Sequence, residues 1–526
     1  MAVSLFARGS SAAHSVSRAL RGGVAVQFAR GFASAAEPAV SSSDVETLPN
    51  VKDGKVLHPE LLNENMKKTQ YAVRGELYLR AEELRREGKK IIFTNVGNPQ
   101  ALGQIPLTFN RQVMALVTGA HFMLKNPEFR KLFNEDVVER AEQIMKMIPG
   151  GVGAYSDSRG ALGIRQEVAN YIAERDGVPT PNPDHIFLTD GASVAVRMGL
   201  SAMIRNSKDG IMVPIPQYPL YSASISLYGG TLIPYGLDEE NSWSMDLGKM
   251  KKAVDDARAK GQNVRAMVFI NPGNPTGQCL SRQNLEELVK FAYEQKIVLL
   301  CDEVYQENIY QDERPFVSAR RVAHELGEPY RSGLEMMCFH TVSKGSLGEC
   351  GLRGGYVEMV NIHQGTVDEV YKIASINLSP NVPGQVAMSL MVNPPKPGQQ
   401  SYESHAAEKK GILDSLRERA HIMTNGFNSL EGVTCNFTEG AMYSFPQIRL
   451  PQKAMDAAKA AGKAPDVFYC LKLLEATGIS TVPGSGFGQE PGTFHLRTTI
   501  LPPVEQMKEV VTLMTDFHKK FMDEYR

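Results

Sequence analysis

The sequence predicts an α/β protein: a large domain built on a mostly parallel sheet covered by helices, with a smaller α/β domain beside it. Three observations carry this. The chain has 526 residues, more than one compact unit holds, and 42% are hydrophobic against 22% charged, enough for a sizeable core. From residue 185 onward, short apolar runs alternate with helix-length amphipathic ones. After about residue 373 the alternation stops and a mixed pattern begins.

The apolar runs, in order, are "HIFLTD" (185–190), "IMVPIP" (211–216), "TLIPYG" (231–236), "RAMVFI" (265–270), "KIVLLCD" (296–302) and "EMMCFHTV" (335–342). Between several of them lie stretches such as "LSRQNLEELVKFAYEQ" (280–295), whose apolar positions recur at helical spacing. Strand–helix alternation of this kind builds parallel sheets. The polar, proline-containing stretch 392–410 marks a boundary. A long helix follows (about 406–430), then strand-like "AMYSFPQIRL" (441–450) and "GTFHLRTTIL" (492–501), then a last helix. The expected division is 48–123 as an N-terminal arm and part of the small domain, 124–391 as the large domain, and 392–526 as the rest of the small one.

The first 36 residues differ from the remainder. They contain Arg8, Arg18, Arg21 and Arg30, many Ser and Ala, and no acid before Glu37. That is the composition of an organelle transit peptide. "ARGFAS" resembles a mitochondrial processing site, so the expected address is the mitochondrial matrix, with a plastid as the alternative. The chain ends "DEYR", without the peroxisomal S-K-L.

Charge and cysteine content exclude whole classes. A net charge of −1 and the lack of a basic stripe argue against nucleic-acid binding. No apolar run approaches the roughly 18 residues that span a bilayer. The six cysteines show neither C-x-x-C pairs nor zinc spacing, so free thiols and no metal are expected.

In an open parallel sheet, ligands bind beyond the carboxyl ends of the strands. Those ends are polar here. After the 185–190 run comes "DGAS", with Ala192 and Ser193 opening a helix, which serves either as an anion seat or as an ordinary cap. Tyr218 follows the second run. "NPGNPTG" places Asn274 after 265–270, and its Asn-Pro steps favour an extended asparagine that projects. Asp302 ends an apolar strand, where a buried carboxylate needs a positive partner. Tyr305 stands three residues on. Thr341, Ser343 and Lys344 end the last run, and Arg353 follows nine residues after the lysine. The residues before Lys344, "CFHTVS", lack the glycines of a phosphate-binding P-loop, and no G-x-G-x-x-G follows a strand. Lys344 leaves its strand through the small-residue turn "SKGS", as a reactive amine requires, and Arg353 has the fork suited to phosphate.

The set "NPGNPTG", "CDEVYQ", "SKG" with "GLRGGY", and late "FHLR" resembles the fold-type I, class I aminotransferases, which use pyridoxal phosphate. The resemblance runs from about residue 48 to the end. "NVGNPQALGQIPLTFNRQV", "MIPGGVGAYSDSRG" and "NLSPNVPGQVAMSLMVNPP" look like the alanine aminotransferase branch. It implies a mostly parallel seven-stranded sheet and a homodimer with active sites shared across subunits. Lys344 is implied as the covalent link to the cofactor and the proton carrier, and Asp302 as the partner of the ring nitrogen. Asn274 and Tyr305 would contact the ring hydroxyl and Tyr218 would stack on the ring. Ala192, Ser193, Thr341, Ser343 and Arg353 would hold the phosphate, with Tyr155 reaching the neighbouring subunit's phosphate. Arg497 would clamp the substrate carboxylate, with Gly97 and Asn274 also lining the substrate's place. The implied reaction is ping-pong transfer of an amino group from alanine to 2-oxoglutarate, giving pyruvate and glutamate; the alternative is a glutamate–glyoxylate aminotransferase. A DNA-binding regulator on the same fold would need a helix-turn-helix and basic surface that the sequence lacks. One departure stands out: many relatives place the arginine eight after the lysine, whereas here the gap is nine, with the extra residue falling in "SLGECG".

Overall fold

A computed structural model describes residues 50–71 and 75–526; the transit-type segment 1–36 lies outside them. The described residues up to Asn63 form a unit of their own, with one short turn of helix at Pro59–Leu61. Glu64–Arg526 forms the other unit, to which everything below belongs.

Its centre is an eight-stranded sheet. In chain order the strands are β1 (Ile186–Thr189), β2 (Asp209–Ile215), β3 (Thr231–Asp238), β4 (Ser244–Met245), β5 (Asn263–Ile270), β6 (Val298–Asp302), β7 (Met336–Thr341) and β8 (Gly355–Val360). Their spatial order is β1-β8-β7-β6-β5-β2-β3-β4. Neighbours from β7 through β3 pair in parallel, while β8 runs antiparallel to both β7 and β1. The expected seven strands are thus present, and β4 adds a two-residue antiparallel edge.

The middles of the central strands are apolar because both their faces are covered. In β5, Ala266, Val268 and Ile270 pack on one side while Met267 and Phe269 pack on the other. Neighbouring β6 divides likewise, with Leu300 opposed to Leu299 and Cys301. The helix Arg282–Gln295, between these two strands, buries Leu285, Leu288, Val289 and Ala292 against this sheet. Ser281 caps its start, accepting the Asn284 N–H at 3.1 Å.

The C-terminal part builds a separate apolar cluster from the helices Tyr402–Asn428, Pro465–Thr477 and Val504–Tyr525. The segment 48–123, expected to join it, divides instead. The strand Ile92–Phe93 pairs in parallel with Ile479–Ser480 and does join. The helix Thr108–Thr118 does not. Its Phe109, Val113, Leu116 and Val117 pack with the helices Glu135–Met147, Leu162–Asp176 and Val382–Val392 beside β1. The physical reason is its apolar face, which matches that helical layer.

The six cysteines are free thiols; Cys350 alone is half-buried, the others buried. No helix among the described residues is long and apolar enough to cross a membrane.

Candidate active site

The carboxyl ends of five parallel strands, β1, β2, β5, β6 and β7, open on one side, and a cavity of about 970 Å³ lies there. Its lining includes every expected site residue except Tyr155. Tyr155 is 78% exposed and lies in a different part of the surface, beside Leu162 and Val382.

At one end of the cavity the backbone builds an anion cradle. Gly191 (φ +84°) turns the chain from β1 into the helix Ala192–Met203, whose first N–H groups are free to bind an anion. A side chain on Gly191 would run into the Arg353 guanidinium. Arg353 lies across this helix start, donating to the Asp190 carbonyl at 3.0 Å and to Ser193 Oγ at 3.4 Å. Thr341 and Ser343 adjoin each other, their hydroxyls 3.2 Å apart. Hydroxyls, helix N–H groups and a guanidinium are the donor set a phosphate requires.

Across the cavity floor, Asp302 is buried at the end of β6. Its Oδ2 accepts the Tyr221 hydroxyl at 2.7 Å, whereas Oδ1 has no hydrogen-bond partner in the protein. Burial pushes its carboxyl up to about 6. An acid so placed fits a protonated ring nitrogen, which would return it to the ionised form. Asn274 projects as expected. Its Nδ2 donates to Tyr305 Oη at 3.4 Å, and its Oδ1 accepts from Arg497 Nη1 at 3.1 Å. Both Asn-Pro bonds of "NPGNPTG" are cis. Cradle, floor acid and ring-facing donors together fit pyridoxal phosphate.

Lys344 reaches into the middle, its Nζ donating to the Gly97 carbonyl at 3.4 Å and lying over the Tyr305 ring at 5.4 Å. The turn carrying it is held from two sides. On one side, Asn308 Oδ1 accepts the Gly345 N–H at 2.8 Å, and Glu307 accepts both the N–H and the hydroxyl of Ser346. On the other, Gln104 donates to the Ser346 carbonyl, and Arg111 grips Glu349 with two hydrogen bonds of 2.8 and 2.9 Å. The nine-residue spacing is absorbed here. Gly348 takes φ +59° and donates back to the Lys344 carbonyl, and the Glu349 N–H returns to the Val342 carbonyl at 2.9 Å. Arg353 itself adopts a left-handed backbone (φ +54°) and still reaches the cradle.

Arg497, 1% exposed, closes the far end. Its guanidinium lies between the Tyr443 and Phe487 rings, 4.3 and 4.6 Å from their centroids, which fixes its plane. Nη2 donates to the Asn95 carbonyl at 2.5 Å, while Nε has no partner in the protein. Its unused N–H groups form a fork for a carboxylate.

Sequence reasoning missed four participants: Tyr71, whose hydroxyl meets that of Tyr218 at 3.0 Å; Tyr221; Cys350; and Tyr443. Tyr443 was legible only as a strand residue. Burial raises its phenol, but Lys344, Arg497 and the Tyr305 hydrogen bond outweigh burial and hold it below the usual value.

Comparison with known proteins agrees with this geometry. Residues 128–513 match the family model "Aminotransferase class I and II". The chain is 62% identical over 471 residues to glutamate–glyoxylate aminotransferase 1 of Arabidopsis thaliana, covering 90% of this chain and 98% of that protein. It is 51% identical over 477 residues to alanine aminotransferase 2 of Panicum miliaceum, covering 89% of this chain and 98% of that protein. Among solved structures, an alanine aminotransferase from Pyrococcus furiosus superposes with TM-score 0.70 at 25% identity, covering 87% of this chain and 100% of that one.

Proposed function

Because the chain belongs to the class I and II aminotransferases, enzymes that work with pyridoxal phosphate, we propose that it transfers the amino group of glutamate to glyoxylate, giving 2-oxoglutarate and glycine. The observation that carries this choice is the higher identity to the glutamate–glyoxylate relatives, 62% and 61%, than to the alanine ones, 51% and below. Among the described residues lining the cavity three are cationic: Arg353 serves the phosphate cradle and Lys344 the centre, leaving Arg497 for the substrate α-carboxylate.

The alanine reading, first expected from the sequence, remains the second, supported by relatives of that name along nine-tenths of the chain. Both readings share the glutamate/2-oxoglutarate couple. Steady-state assay with glutamate as donor separates them: a higher kcat/KM for glyoxylate than for pyruvate is expected, and a preference for pyruvate overturns the choice.

Bound in the cavity, pyridoxal phosphate supplies an electron-withdrawing ring that stabilises negative charge at the substrate α-carbon. The protein does the rest. Asp302 holds the ring nitrogen's proton; Asn274 and Tyr305 address the ring hydroxyl; Tyr218 covers the ring. Ala192, Ser193, Thr341, Ser343 and Arg353 hold the phosphate. Arg497 fixes the substrate carboxylate so that the α-proton faces Lys344. The Lys344 amine would take that proton as a base and, as the ammonium, give it up again as an acid.

The active form is a homodimer. Support comes from an exposed apolar patch, with Tyr155 78%, Leu162 58%, Ile376 76% and Leu378 55% exposed. Ser158 donates to the Leu378 carbonyl at 2.7 Å, tying these segments together. In the dimer Tyr155 would complete the neighbouring phosphate cradle. Sedimentation at micromolar concentration tests this, a monomer being the contrary result. A mitochondrial address is supported by the arginine-rich, acid-free start and by 48% identity, over 95% of this chain, to a mitochondrial alanine aminotransferase of Arabidopsis thaliana. N-terminal sequencing of the mature protein from isolated organelles tests it.

A further inference from the structure

A substrate held by its carboxylate on Arg497 and presenting its α-carbon to Lys344 must span the gap between those two side chains. Tyr443 stands in that gap. Its strand, Tyr443–Ser444, pairs antiparallel with the strand that carries Arg497, which sets its ring against the guanidinium at 4.3 Å. Its hydroxyl reaches the Lys344 end. A Cβ placed on Gly97 would collide with the Tyr443 hydroxyl and lie 3.1 Å from Lys344 Nζ, so both atoms crowd one point. Gly97 is therefore a glycine because the phenol and the amine fill the space beside it.

The hydrogen bonding at this hydroxyl is directional. Asn274 donates to Tyr305 at 3.4 Å, and Tyr305 donates to Tyr443 at 3.2 Å. Tyr443 thus receives a hydrogen bond and has its own O–H proton left to give. The same cavity is lined by Arg497, whose Nε has no partner in the protein, and by the Lys344 amine.

We propose that Tyr443 is a third substrate contact beside Arg497 and Lys344: its hydroxyl donates a hydrogen bond to the α-carboxylate seated on Arg497. The inference rests on reading Arg497 as the carboxylate clamp. The oxygen of the same hydroxyl accepts from Tyr305 and, once Lys344 has taken the α-proton, from its ammonium. Tyr443 so couples where the carboxylate sits to where the amine points. A phenylalanine would keep the ring on the guanidinium and lose only the donor.

The test uses the cofactor-loaded enzyme and propionate, a carboxylate that cannot react. Tyr443→Phe is expected to raise the propionate Kd about tenfold or more, the loss of one charge-assisted hydrogen bond, and to weaken propionamide binding less, since a neutral carbonyl accepts a weaker bond. Glyoxylate kinetics should show the loss mainly in KM. Tyr443→His, which retains a ring N–H, should recover part of the affinity; it also serves if the phenylalanine variant folds poorly. An unchanged propionate Kd in Tyr443→Phe, or equal losses in the Phe and His variants, overturns the proposal. Failure of the wild-type enzyme to use glyoxylate would instead overturn the substrate reading, leaving the propionate result standing.

Discussion

Arg497→Lys is the perturbation whose size follows most directly from the structure. The guanidinium is buried, flattened between two rings, and already gives one N–H to Asn274 and one to the Asn95 carbonyl. What remains is a fork able to give a carboxylate two parallel hydrogen bonds. A lysine keeps the charge but brings a single ammonium on a thinner stem. Satisfying Asn274 and Asn95 leaves it at most one donor for the substrate. Two charge-assisted bonds at about 1.5–3 kcal/mol each fall to one weaker contact, a loss of about 2–4 kcal/mol. That corresponds to a drop of roughly 30- to 1000-fold in kcat/KM. The assay is steady-state turnover of glutamate with glyoxylate. The cofactor should stay bound, because Arg353 and Asp302 lie elsewhere in the cavity. A variant within about threefold of wild type, under 1 kcal/mol, would refute the clamp.

Other consequences are equally open to measurement. Asp302, pushed up to about 6 by burial, sits above its ordinary 3.8, so it binds its proton more tightly folded than unfolded. The cofactor-free protein should therefore lose stability as pH rises from about 4 to about 6, by about 3 kcal/mol, and Asp302→Asn should remove that slope from the unfolding curves. Gly97→Ala forces a methyl against the Tyr443 hydroxyl and Lys344, costing about 1–3 kcal/mol of overpacking and most of the activity. Arg111→Ala strands the buried Glu349 carboxylate under the Lys344 turn and should cost about 1–3 kcal/mol by denaturant titration. Ser281→Ala removes a helix cap far from the cavity and should cost about 1 kcal/mol with turnover unchanged.

How much of this could be read from the sequence depends on how local each feature is. Six apolar runs became strands because burial on both faces demands continuous hydrophobic residues, and the polar residue after each run marks a strand end. Asp302, Asn274 and Lys344 were legible for that reason. β8 was harder, since Gly354 precedes it, Gly355 opens it, and its pairing, antiparallel between β1 and β7, leaves no local trace. Tyr443 and Tyr221 look like any core tyrosine until distant chain brings Arg497 and Asp302 to them. The nine-residue gap after Lys344 could be noticed in the sequence but not explained. Its solution lies in Gly348 and in partners far along the chain, Glu307 on one side and Arg111 on the other. Thr108–Thr118 was misassigned because an amphipathic helix advertises that it packs, not against what.

Lys344 is the amine proposed to carry the cofactor and to move the α-proton. Borohydride reduction of the loaded enzyme fixes that link irreversibly, and peptide mass mapping then finds it. The phosphopyridoxyl group is expected on the peptide containing Lys344, and on no peptide of the Lys344→Ala variant. The group on another lysine, or an unlabelled Lys344 in active enzyme, would contradict it.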